Sequence, residues 1–405
     1  MRIYLFTDAC ISSQDKNEQQ SQVIKFLRFP LAILVIFIHV NPQNSPLFIP
    51  IQSINIDEFN LNSLYSIIAK SGTYFCNIAV PFFFFTSGYF FFYKTKNWSL
   101  STYKQKIQKR SKTLLLPYIA WNLLAFFFLI ASKLGGIILF SKSWNELSSF
   151  LSSYDTLQSW LDIFWSQTTW REGSTNLLGM STQMWGPFLL PLWFLRDLII
   201  ITILSPLIYF FIKRLKFSFI FFLGIGYIFT ICTLPGISII SVFFFSFGAY
   251  LSLNKKNLIS YFEEQKKFYW IITPLCLILC IVFDSKSYVS IFNALYCISA
   301  LGFLFCITPR LLTSKHLRVY PHLANTSFFI YALHTMVIFK FSIIGFVCYV
   351  TNFLFKAEEY AIGAILRYLI SPFICAIICL AIFLLLKKYI PSLLNICKHS
   401  LNYRY

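Results

Sequence analysis

The sequence predicts an all-α polytopic membrane protein, a bundle of about ten transmembrane helices with both termini in the cytoplasm. Three observations carry that reading. The 405 residues are 57% hydrophobic and only 12% charged, whereas about a quarter of a soluble domain is charged. Apolar stretches long enough to cross a bilayer recur from end to end. Basic residues are also shared unequally between the connecting segments. Spans are expected at about 24–41, 72–93, 113–132, 187–211, 217–234, 237–253, 268–283, 287–308, 323–340 and 362–386. With the N-terminus inside, the inner segments hold 25 Lys and Arg and the outer ones 8. That bias sets both termini on the cytoplasmic side. It also accounts for the net charge of +19, so no nucleic-acid partner is expected.

The chain divides into three parts. Residues 1–23 are expected to be a disordered cytoplasmic tail, not a signal peptide, because the apolar run Ile3 to Phe6 is too short. Residues 24–386 form the membrane domain, and 387–405 a short basic cytoplasmic tail. The eleven cysteines contain no C-x-x-C pair, so neither a disulfide framework nor a metal site is expected. Within 133–186, a long outer loop, Phe150, Tyr154, Leu157, Leu161, Phe164 and Trp165 recur at helical spacing. Five of the nine tryptophans lie there: Trp144, Trp160, Trp165, Trp170 and Trp185. They suit an amphipathic helix in the outer interface, or a cover over an outward-facing site. The apolar stretch 341–361 ends in Glu358-Glu359 and reads as a re-entrant or interfacial piece.

Polar residues inside the spans are the functional candidates, because an ionisable group at mid-bilayer costs about 2.5–3.5 kcal/mol or more. The first span holds Arg28 and His39. Eleven residues of helix rise about 16 Å and return to nearly the same face. Arg28 is therefore expected near one membrane surface and His39 deeper on the same stripe. The second span contains Pro81 and Ser87-Gly88, either a small-residue packing face or a notch for a slender ligand. The basic run Lys94, Lys96, Lys104, Lys106, Lys109, Arg110 and Lys112 follows. As a topology signal it needs no further reason, and it would also suit the phosphates of a nucleotide-bearing ligand.

The fourth span opens with Trp193, Arg196 and Asp197 on one face. Asp197 is the only acid placed within a span. It is either an ion-pair partner of Arg196 or the charge partner of His39. In the ninth span Ser327, Tyr331 and His334 share a face at i, i+4 and i+7. His316, His322 and His399 fall near inner surface ends and suggest no role. No second Arg-x10-His segment marks a transporter-type repeat.

These pieces, in this order, resemble the bacterial membrane-bound acyltransferase family 3, which includes O-acetyltransferases of surface polysaccharides and exopolysaccharides. Arg28 and His39 match its Arg-x10-His pair. Residues 81–89, Pro-Phe-Phe-Phe-Phe-Thr-Ser-Gly-Tyr, are similar to its second-span signature. Residues 191–197, Pro-Leu-Trp-Phe-Leu-Arg-Asp, resemble its Trp-Phe-Leu-Arg-Asp motif. Residues 327–334 resemble its late tyrosine–histidine motif. The likeness covers about 24–386. One departure is that Thr113, not arginine, follows Arg110 at the third position. Some members carry a fused hydrolase-like domain after the membrane part. None is read here, so this protein is expected to work alone or with a separate partner.

The resemblance implies a multi-pass enzyme of the bacterial cytoplasmic membrane. It would move an acyl group, in the first place acetyl, from cytoplasmic acyl-CoA to a hydroxyl of a glycan or lipid-linked saccharide. Acyl-CoA is then the donor substrate, and no permanently bound cofactor is expected. A sugar hydroxyl needs a base, and an imidazole suits that role. His39 is the candidate, as base or as transient acyl carrier. Arg28 would hold the donor or stabilise charge on its thioester, and Asp197 would orient His39. Ser87, Arg110, Trp193, Arg196, Tyr331 and His334 are the expected substrate-binding residues. The alternative class is a transporter or flippase for a small anionic or lipid-linked solute, because intramembrane Arg, Asp and His also suit a proton relay.

Overall fold

The computed structural model describes residues 13–95, 97–314, 317–338 and 341–397. Lys96, His316, His399, residues 1–12 and residues 398–405 lie outside them, together with the expectations that fall on them.

Helix α1 covers Ser13–Ile38. It starts well before residue 24: Gln20, Ser21 and Val23 are buried, so residues 13–23 form its opening turns rather than a disordered tail. It ends in a tight turn at His39, with Asn41 in the left-handed conformation (φ 49°) before Pro42. Helices α2 (Leu61–Cys76) and α3 (Ala79–Phe92) form one span broken at Asn77-Ile78. The Asn60 side chain caps α2 by accepting from the backbone N–H of Asn62 and Ser63.

The basic run lies on α4 (Leu100–Arg110), which passes through a π turn at Ser111–Leu115 into α5 (Leu116–Phe140). The 133–186 loop does not form one amphipathic helix. It breaks into α6 (Asn145–Ser152) and α7 (Leu157–Asp162), because the Thr156 side chain caps a new helix start. Tyr154 of this segment packs edge-on against Phe126 and Phe150, and the Phe150 ring lies tilted against Phe126. A short antiparallel hairpin follows, β1 (Thr168–Trp170) against β2 (Met184–Gly186).

Next come α8 (Trp193–Ile203) and α9 (Ser205–Leu215), bent by 64° at Leu204 ahead of Pro206. A proline removes one backbone donor and ends the preceding helix. Helix α10 (Phe217–Ile228) leads through the two-residue strands β3 (Thr233–Leu234) and β4 (Ile237–Ser238) into α11 (Ile239–Leu253). The remaining helices are α12 (Leu258–Glu263), α13 (Lys266–Val282), α14 (Val289–Thr313) and α15 (Pro321–Leu333). After strands β5 (Val337–Ile338) and β6 (Phe341–Ser342) come α16 (Ile343–Phe355), α17 (Ala361–Tyr389) and α18 (Pro391–Cys397).

A helix lies in every expected span, but helix lengths do not give ten crossings. Among the described residues five helical stretches are long and apolar enough to cross a bilayer, and the bent pair α8–α9 makes a sixth. Helices α10, α11 and α16 are apolar but only 12, 15 and 13 residues long. About 20 residues are needed to cross.

The core is aromatic. Phe82, Phe84, Phe85, Phe244, Phe245, Phe262 and Phe305 are fully buried, and Phe262 stacks on Phe305 at 5.3 Å. Its closest seam is α3 against α11. A Cβ on Gly88 would stand 2.0 Å from the Phe245 carbonyl oxygen, and one on Gly248 would stand 2.0 Å from that of Phe85. The Ser87-Gly88 notch is thus filled by a neighbouring backbone. It is the packing face, not an opening for a slender ligand.

Candidate functional site

Helix α1 packs beside α15, and each ends one residue before a histidine, His39 and His334. The two rings meet with centroids 5.0 Å apart. His334 is fully buried, and its Nδ1 lies 2.8 Å from the Tyr331 carbonyl oxygen. A carbonyl only accepts, so Nδ1 carries the hydrogen and Nε2 is left as a bare acceptor. That Nε2 is buried without a hydrogen-bond partner.

His39 and Tyr331 face a cavity of about 440 Å³. The cavity is walled by Trp170, Arg171, Trp193, Tyr227 and Ser238, and by three amides, Asn41, Asn77 and Asn293. Asn77 donates to Asn293 at 2.8 Å, which ties the α2–α3 break to α14. The rings of Trp170 and Trp193 lie 5.9 Å apart, so the hairpin after α7 forms part of this wall. The Tyr331 hydroxyl donates to the Pro191 carbonyl and clamps α15 to the turn before α8.

Asp197 does not pair with His39. One carboxylate oxygen accepts from Arg196 Nε and Nη2 at 3.1 and 2.8 Å. The other accepts from the Ser238 hydroxyl at 2.6 Å and its backbone N–H at 3.3 Å. Both oxygens are committed, so the expected orienting bond is absent from this structure. Arg196 in turn donates to the Trp165 carbonyl and lies over its ring. A buried ion pair needs such extra bonds to offset its desolvation. The pair fixes α8 against β4 and the segment at Trp165 and touches the cavity wall at Ser238.

Other expected site residues are dispersed. Ser87 is buried at the α3–α11 seam. Arg110 stands over the Phe91 ring, and its neighbour Lys106 donates to the Phe91 carbonyl at 2.5 Å. Together they cover the C-terminal end of α3, where carbonyls lack helical partners. Because α1 begins so early, Arg28 sits along the middle of the helix rather than at its end.

A second cavity, of about 870 Å³, lies at the other end of α1, beside Asn17. Lys94, Lys213, Lys255 and Lys256 line it with Tyr89, Tyr93, Trp98 and Tyr209. Among the described residues none that lines it is acidic. Sequence reasoning missed three of these lysines by treating them as topology signals only. It also missed Asn77 and Asn293, although an amide inside an apolar span was the available signal. Arg171 and Asn41 come from turns and gave no periodic signal.

Fold and site together define a helical membrane protein with a histidine pair beside a mostly apolar cavity that holds a few polar groups. A family model for an acyltransferase domain, that of acyltransferase family 3, matches residues 22–386. The chain belongs to that family. Comparison with curated proteins and with solved structures returns no match.

Proposed function

We propose that the protein is an O-acetyltransferase of the bacterial cytoplasmic membrane, moving an acetyl group from acyl-CoA to a hydroxyl of a glycan or lipid-linked saccharide. The observation that carries this reading is the histidine pair at the wall of the cavity: His39 lining it, His334 behind with a bare Nε2. The acceptor hydroxyl oxygen bonds to the thioester carbonyl carbon, and the carbon–sulfur bond breaks. The hydroxyl proton passes to His39 and then to the departing thiolate, which leaves as free coenzyme A. His334 is the positioning residue. Its Nε2 accepts an N–H of His39 as the site closes on its substrates, the task the sequence suggested for Asp197. Trp170 and Trp193 offer flat apolar faces to a sugar ring.

The four lysines of the second cavity suit the phosphates of the donor. Arg28 stands about 16 Å along α1 from His39. That is too far to stabilise charge at the reacting carbon, so Arg28 holds the donor. Membership of an acyltransferase family counts against the transporter alternative.

Purified protein given radiolabelled acetyl-CoA and a saccharide acceptor tests the reading. Label is expected on the saccharide, and none with His39→Ala. Label retained on the wild-type protein but absent from His39→Ala would make His39 an acyl carrier instead. A saccharide moved chemically unchanged into vesicles would overturn the enzyme reading.

A further inference from the structure

Resting on that reading, we infer that the acceptor presents an anionic oxygen group, a carboxylate or a phosphate, to Arg171 inside the His39 cavity. Among the described residues Arg171 is the cavity's only permanently charged lining residue, and none of them that lines it is acidic. No carboxylate lies within ion-pair distance of it among the described residues. A guanidinium has five donors and no acceptor. Water can solvate it while the cavity is open. An occupant that fills the cavity displaces that water and must return an acceptor, and an uncompensated charge is costly. A carboxylate or phosphate returns two parallel hydrogen bonds, whereas a neutral hydroxyl does not restore the charge balance.

The placement of Arg171 is held by the fold. It follows Trp170 directly and adopts a left-handed backbone conformation (φ 60°), which is uncommon for a residue other than glycine. Its carbonyl accepts from the Ser174 backbone N–H at 3.2 Å and from the Ser174 hydroxyl at 2.7 Å. Further along the same loop, Asn176 donates to the Phe229 and Thr230 carbonyls at 2.7 and 3.1 Å. Thr233 donates to the Ser181 carbonyl at 3.3 Å. These bonds fasten the hairpin loop to the connection after α10, whose Thr230, Cys232 and Thr233 also line the cavity. Left-handed residues persist where their surroundings over-determine them, and they cluster at ligand clamps. The platform of Trp170 and Trp193 with Arg171 beside it fits a sugar ring carrying a charged substituent.

The test uses binding, so it does not depend on transfer. In full-length His39→Ala protein, affinities for methyl glucoside, methyl glucuronide and glucose 1-phosphate are measured by calorimetry. At least one anion is expected to bind about tenfold more tightly than the neutral glycoside, as a charged hydrogen-bonded contact supplies. Arg171→Gln removes that preference, and Arg171→Lys keeps part of it, which separates charge from folding. Preference for the glucuronide places the anion on the sugar. Preference for the phosphate places it at a phosphate linkage such as that of a lipid carrier. Equal affinities, no binding of either anion, or a preference that survives Arg171→Gln would overturn the inference. A charge preference without acyl transfer by the wild type would leave Arg171 in its role and sink the proposed function alone.

Discussion

The two cavities at opposite ends of α1 differ in almost every physical respect. The one beside His39 is smaller, about 440 Å³ against 870 Å³, and mostly apolar, with amides, two tryptophans and one arginine. The one beside Asn17 is wide and carries four lysines with tyrosines between them. Asn17 and His39 are 22 residues apart, roughly 33 Å along the helix, close to the thickness of a bilayer's hydrocarbon core. Arg28 falls halfway, about 16 Å from each on nearly the same stripe. Helices α3 and α11 also run from one cavity to the other: Val80 and Ile239 belong to the first, Tyr89 and Ser252 to the second. The difference teaches a division of labour. A cavity rich in lysine attracts a polyanion broadly, whereas a narrow one with few fixed polar groups selects by shape and by single hydrogen bonds.

Four substitutions break or sharpen that division. His39→Ala should have the largest effect, lowering kcat by about a thousandfold, as loss of a general base does, while equilibrium binding of acetyl-CoA to the lysine-lined end is unchanged. Loss of acetyl-CoA binding along with turnover would show that the two cavities do not work separately.

Asp197→Asn should act on stability rather than on chemistry. It leaves the buried Arg196 without its charge partner, at a cost of about 3–5 kcal/mol, read as a lower midpoint of thermal unfolding in detergent. The pH–rate profile of the surviving protein should keep its shape. A displaced acid limb would restore Asp197 as a direct partner of His39.

Gly88→Ala tests the seam that closes the space between the cavities. The new methyl meets the Phe245 carbonyl, so overpacking should cost about 1–3 kcal/mol. Activity per folded molecule should fall for every donor and acceptor alike. A selective rise in the KM for acetyl-CoA would instead mark Gly88 as part of a donor passage.

The smallest effect is expected from charge reversal at the lysine-lined end. Lys255→Glu should raise the KM for acetyl-CoA about tenfold, the size of one charge-assisted hydrogen bond. The kcat at saturation should hold, and the gap between variant and wild type should narrow as salt is added. An unchanged KM would remove the donor from this cavity.

Much of the candidate site was legible in the sequence. His39, Tyr331, His334 and Trp193 stood out because polar groups on an apolar helix are costly, and all four meet around one cavity or directly behind its wall. For Asp197 the sequence left two partners open, and the structure pairs it with Arg196 rather than with His39. Helical periodicity reports which face a residue occupies, not which neighbouring helix lies opposite. Adjacent residues point in different directions from a helix, which argued against an Arg196–Asp197 pair. The long arginine side chain nevertheless reaches back, and Ser238 fills the second oxygen.

The sequence by itself determined a helical membrane bundle and the identity of its costly polar residues, because hydropathy and charge are local properties of the chain. The number of full-length crossings was not local. It depends on the bend at Leu204 and on helices as short as α15, which a hydropathy window averages away. The role of Ser87-Gly88 was decided when the α11 backbone came to lie against it. Asn41, Arg171 and the lysines at the Asn17 end sit in turns or at helix ends, distant in sequence. Only the folding of the chain brings such residues to one wall, because convergence in space leaves no period in sequence.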